Sequence, residues 1–188
     1  MPAYYTYFIS SLPMLHFGAK PPFPFEKFLG DCQGFILDED SALLKKLPVT
    51  IDEYDKRLNN ATIERWLEFD TTLRNELVKI RAQMKKIEPE KFLRREVIFN
   101  PAISHTVMAA HRNPAILEAE EILDEARWGA LDELSFGHYF DIDFLIIYAY
   151  KLKILERWEK INLADKERLL QEVLRDFSKS PKIREISD

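Results

Sequence analysis

Residues 62–87 constrain the fold most. Ile63, Trp66, Leu67, Leu73, Leu77, Ile80, Met84 and Ile87 recur mostly at intervals of three and four, laying one apolar stripe along a helix of 3.6 residues per turn. Pro89 closes the segment. Asp70 interrupts the stripe, and Arg74, four residues on, is within its reach on the same helix. Two readings follow for Asp70, Arg74, Asn75, Glu76 and Arg81. One is a polar seam between helices or a docking patch, and the interruption favours a buried pair of Asp70 with Arg74. The other is a solvated face of ordinary ion pairs, each worth little.

The rest of the chain carries the same signature. Short helices are expected at 25–32 and at 38–47, the latter capped by Asp38 and stopped by Pro48. Asn100-Pro101 opens a helix to 111, and Asn113-Pro114 places an N-cap before a proline at N1 for a helix that runs through Leu134 and ends near Gly137. Asp141 caps the next, with Asp143 in its first turn and Phe144, Leu145, Tyr148, Leu152, Leu155 and Trp158 buried. A separate last helix is expected at 164–177, before a tail at 178–181. No alternating run is long enough for a sheet. The chain reads as all-α, a multi-helix bundle in a single domain 1–188. A faint echo between Thr62-Ile63-Glu64-Arg65-Trp66 and Ile154-Leu155-Glu156-Arg157-Trp158 suggests two related sub-lobes, 1–95 and 96–188.

The opening segment is unlike the rest. Tyr4, Tyr5, Tyr7 and Phe8 put four aromatics in five positions, followed by Ile9, Ser10, Ser11, Leu12 and Pro13. Termini are usually frayed and polar, so this surface must pack on its own domain or meet a partner. Ser10 or Ser11 can satisfy local backbone groups where Pro13 ends the segment.

Composition narrows the function classes. Apolar residues at 46% describe a folded domain, and only 5 glycines suit helices. A net charge of −5 leaves no basic excess for neutralising phosphates, which argues against nucleic-acid binding. Cys32 is the single cysteine; it excludes an intrachain disulfide framework and suits a cytoplasmic setting. No signal peptide is apparent. The longest apolar run, 144–150, is too short to span a bilayer.

The sharpest catalytic candidate is His138 with Asp141 and Asp143, a histidine and two carboxylates suited to a divalent metal or acid–base work. The alternative is that both acids serve the helix start and His138 is a loop residue. His105 and His111, six apart, fall on different helix faces, and His16 lies in a loop. Cys32 lacks a histidine partner and reads as a buried, inert thiol. The prolines after Gly18-Ala19-Lys20 remove the backbone donors a phosphate loop needs. No catalytic residue, cofactor or metal is assigned on this reading.

Three stretches carry a resemblance. They are Tyr4-Tyr5 with 8–13 and the Pro21-Pro22 connector into Phe25-Glu26-Lys27-Phe28-Leu29; Leu73-Arg74-Asn75-Glu76-Leu77 with Arg81-Ala82; and 144–153 leading into Glu156-Arg157-Trp158. Together they cover about half the chain, which resembles a poorly characterised bacterial family found among the components of rotary V/A-type ATPases. That family is related to the socket subunit, the funnel of helical lobes that seats the central stalk on the rotor ring. The resemblance implies an all-helical, non-catalytic subunit or assembly factor without cofactors, with the stalk and rotor-ring subunits as partners. It further implies a cytoplasmic protein, peripheral to the inner membrane through protein contacts alone. The length of 188 residues is about half that of a three-lobed socket subunit. Tyr4, Tyr5, Arg74, Asn75, Tyr148, Lys151 and Arg157 are the expected partner-binding residues. Alternatives of other classes are a small metal-dependent hydrolase using His138, Asp141 and Asp143, and a general helical adaptor.

Overall fold

A computed structural model describes residues 4–54, 59–94 and 100–179, side chains 165–179 excepted. Both the 95/96 boundary of the expected sub-lobes and the tail beyond 179 lie outside the described residues. Seven α-helices and no β-strand occur among them: α1 (Thr6–Ser11), α2 (Phe25–Cys32), α3 (Asp38–Lys45), α4 (Ala61–Lys85), α5 (Pro101–Arg112), α6 (Ile116–Leu134) and α7 (Ile142–Lys179). No described helix is long and apolar enough to cross a membrane.

Helix α7 is the axis. Every residue from Leu145 to Tyr150 is buried, so this stretch is apolar all round and is covered on every side. The N-terminal segments are strapped to it by polar bonds. Tyr148 Oη donates to the Pro13 carbonyl at 3.0 Å, Tyr150 Oη to that of Pro48 at 2.9 Å, and Glu156 Oε1 accepts from the Phe25 N–H at 2.7 Å. Phe28 fills the space between, its ring 5.3 Å from Tyr148 and 6.4 Å from Phe8. Burial drives the phenols of Tyr148 and Tyr150 above their ordinary pKa and pushes the enclosed Cys32 thiol up to about 12.

Apolar packing falls into two clusters. The larger joins α1, α2, α3 and the start of α4 to the end of α6 and the start of α7. The smaller comprises Leu73 of α4, Ile103, Val107 and Ala110 of α5, and Leu123 of α6. Phe69 packs against both. Beyond Leu73 the α4 stripe leaves the core: Leu77 and Ile80 are half-buried, while Met84 and Ile87 are exposed.

Three helix boundaries differ from expectation. Leu37, not Asp38, is the N-cap of α3: its backbone is extended and its carbonyl accepts from Ser41 N–H, so Asp38 becomes a first-turn acid. Asn113 accepts from Ala115 N–H at 2.9 Å, an Asx turn that places Pro114 before the Ala115 cap instead of at N1. Asn100-Pro101 does form the expected cap, accepting from Ala102 and Ile103. Finally, the helices expected at 141–158 and 164–177 are one, α7. No glycine or proline lies between Trp158 and Ala164, and without a breaker a helix continues.

Candidate functional site

The densest polar feature is a set of ion pairs buried where α4, α6 and α7 meet. Asp70 and Asp124 are 4% and 1% exposed. Arg127, three residues after Asp124 on α6, joins them: Nε donates to Asp70 Oδ1 at 2.8 Å and Nη1 to Asp124 Oδ1 at 2.6 Å. Arg74 Nε takes the other Asp70 oxygen at 2.6 Å. From α7, Trp158 Nε1 donates to Asp124 Oδ2 at 2.9 Å, and Arg157 Nη1 approaches the same carboxylate at about 3.0 Å. Arg157 also reaches Glu120 through Nη2 at 2.6 Å. Two carboxylates thus tie three helices, each oxygen holding a donor. Burial works against the Arg127 charge, yet Asp70 and Asp124 outweigh it and hold its pKa above the ordinary value.

These groups border a cleft of about 400 Å³. Trp66, Asp70, Arg74, Leu77 and Arg81 line it from α4 at helical spacing. Glu120, Leu123, Asp124 and Arg127 do so from α6, and Tyr150, Lys153, Ile154 and Arg157 from α7.

The expected partner-binding residues separate into two sets. Tyr4 is exposed at 70%, and Arg74 and Arg157 keep partly exposed guanidinium groups. Tyr5, Asn75 and Tyr148 are buried. The Tyr5 hydroxyl donates to Asp40, and burial together with that bond pushes its pKa up to about 12. Asn75 pairs through both side-chain atoms with the backbone of Arg94, at 2.7 and 3.0 Å. Each therefore serves the interior of this chain and is no surface contact. Lys151 pairs with Asp132 and lies 5.0 Å over the Trp128 ring. Asp70 is buried and paired with Arg74 as the sequence reading favours, although the Arg74 side chain stays 42% exposed. Arg127 and Asp124 were missed, although Asp124 lies among the helix-spaced apolar residues of α6 and has an arginine at i+3. Because Arg74 and Arg157 hold buried carboxylates, truncating both costs stability as well as surface.

The opening aromatics also divide. Tyr5, Phe8 and Ile9 pack inward, while Tyr4 and Tyr7 face outward with Phe35 and Leu37. Tyr7 and Phe35 stack at 6.1 Å, Leu37 N–H donates to Tyr5 Oη, and Tyr5 N–H donates to the Phe140 carbonyl. Tyr139 and Phe140 are exposed beside this strap. The surface around α1 is thus aromatic.

His138, Asp141 and Asp143 converge at the start of α7. His138 Nδ1 is 2.7 Å from Asp141 Oδ2 and 3.6 Å from Asp143 Oδ2. Asp141 Oδ1 caps the helix by accepting from Phe144 N–H, and Asp143 Oδ1 accepts from Asn60 Nδ2. Three donor atoms within 4.8 Å of one another could hold a divalent cation. Each acid also does the work expected of a helix start, and the positive end of the α7 dipole opposes a cation there. His16, His105 and His111 are exposed, the last two on α5.

Residues 105–180 match the model of a family described as "Protein of unknown function (DUF2764)". No curated protein and no solved structure matches the chain.

Proposed function

We propose that this protein is a non-catalytic structural or assembly component of a bacterial V/A-type rotary ATPase, similar to the socket subunit that links central stalk to rotor ring. The observation that carries the reading is the exposed aromatic surface around α1. Tyr7 is exposed at 79% and Tyr4 at 70%, alongside Phe35 and Leu37. Exposed aromatic clusters mark docking surfaces, since tyrosine and phenylalanine bury large areas at small entropic cost. The sequence resemblance supplies the partner. The protein would work by shape complementarity, with the clamp between α4, α6 and α7 keeping the helices rigid under load. Affinity capture of the tagged protein from gently solubilised native membranes, read by mass spectrometry, tests this. Stalk and ring subunits recovered in fixed proportion support it. Recovery of neither, with intact ATPase in the extract, contradicts it.

The convergence of His138, Asp141 and Asp143 favours a second reading, a small metal-dependent hydrolase. Stoichiometric metal in protein purified without chelator, lost on His138→Ala, would support it; metal-free protein would remove it.

A further inference from the structure

The cleft between α4, α6 and α7 holds more cation than its own fold uses. Five basic side chains line it against three acidic ones, in a chain whose net charge is −5. Asp70 and Asp124 are enclosed and already bonded to arginines. Glu120 is taken by Arg157. Arg81 and Lys153 have no carboxylate within ion-pairing distance among the described residues. Arg74 donates to Asp70 through Nε alone, and its side chain is 42% exposed.

Lys153 carries the strongest signal. Its ammonium is half-buried and lies 4.6 Å over the Phe25 ring and 6.0 Å from that of Tyr150, held by aromatic faces instead of a carboxylate. Burial lowers its pKa below the usual lysine value, with Glu156 and Glu53 only partly opposing. A half-buried ammonium without an anion gains when one arrives. In the same space Val49 is exposed and Leu77 half-buried, beside the buried Trp66, Leu123 and Ile154. A free phosphate would leave that apolar surface in water, whereas a peptide with hydrophobic residues between its acids would cover it.

We propose that this cleft captures an acidic segment of a partner protein, in which carboxylates alternate with large aliphatic side chains. Arg81, Lys153 and the exposed edge of Arg74 take the carboxylates, and Val49 and Leu77 take the aliphatic residues between them. This rests on reading the chain as an interaction subunit, and it names the chemistry of one partner surface.

The test is fluorescence anisotropy with a fluorescein-labelled peptide of alternating glutamate and leucine. Controls are the lysine–leucine counterpart and unlabelled tripolyphosphate as competitor. The wild type should bind the acidic peptide and not the basic one. Arg81→Gln with Lys153→Met spares both buried aspartates, so its circular dichroism should match wild type. Its affinity should fall by on the order of a hundredfold, the loss of two charge-assisted contacts. No binding by wild type, equal binding by the folded double variant, or equal binding of the basic peptide overturns the proposal. Tripolyphosphate displacing the peptide at equal concentration also overturns it, assigning the cleft to phosphate chemistry. If the peptide fails while wild type still captures ATPase subunits, the cleft falls and the subunit reading stands. Peptide binding by a protein that captures no ATPase has the opposite meaning: the cleft stands and the subunit reading falls.

Discussion

Two regions of this molecule are held by different physics. Around Phe28 and Tyr148 the chain is an aromatic and aliphatic cluster whose polar groups serve as straps to backbone carbonyls. Around Asp124 the helices are held by a thinner apolar cluster and a set of enclosed ion pairs. Apolar contact is non-directional and tolerates repacking. A buried ion pair is weak evidence of net stability, yet its loss on one side leaves a charge stranded. The first region therefore supplies bulk stability. The second fixes how α4, α6 and α7 sit against one another.

This contrast can be broken experimentally. Asp124→Ala leaves the Trp158 N–H without its acceptor and takes one carboxylate each from Arg127, which keeps Asp70, and Arg157, which keeps Glu120; it should cost about 3 kcal/mol in urea unfolding. Phe28→Ala should cost a similar amount, about 3–5 kcal/mol, through a cavity. The two sites share no partner, so the double variant should be additive within about 0.5 kcal/mol. Clear non-additivity would show that the regions are not independent. Tyr150→Phe, which leaves the Pro48 carbonyl without its donor, should cost about 1–3 kcal/mol.

A pH effect sharpens the comparison further, because the raised tyrosine and cysteine pKa values belong to the aromatic region. Tyr5 and Cys32 titrate near 12 in the folded chain against ordinary values of 10.0 and 9.0. Above pH 9 the unfolded chain releases these protons while the folded one keeps them. Stability is thus full below about pH 9 and is lost as pH rises toward 12. Chemical denaturation between pH 8 and 11 should show the decline, and Tyr5→Phe should reduce its slope. The smallest effect belongs to Glu120→Gln: its pair with Arg157 is partly exposed, so the loss should stay below about 1 kcal/mol. A loss as large as that of Asp124→Ala would show that the outer pair belongs to the clamp.

Much of the aromatic region is legible in the chain. Apolar spacing locates α2 and the buried face of α7, and Asp70 within a stripe points to a buried pair. The clamp is only half legible, because a pair on one helix leaves an i, i+4 signature, whereas Arg127 reaching Asp70 from α6 leaves none. Tyr5 and Tyr7 show the same limit. Both belong to one aromatic run, and the turn of α1 sends the first inward and the second outward. The continuity of α7 is hidden because the charged residues after Trp158 break the apolar stripe, although nothing there stops a helix.

We propose the outward aromatics around α1 as the docking surface for rotary ATPase subunits. It is tested most directly by parallel capture from one membrane extract, using tagged wild type and a Tyr4→Ser, Tyr7→Ser, Phe35→Ser variant of matched circular dichroism. Wild type should recover stalk and ring subunits, and the variant should lose them by about tenfold or more. Equal recovery by both, or by neither from an extract holding intact ATPase, would contradict it.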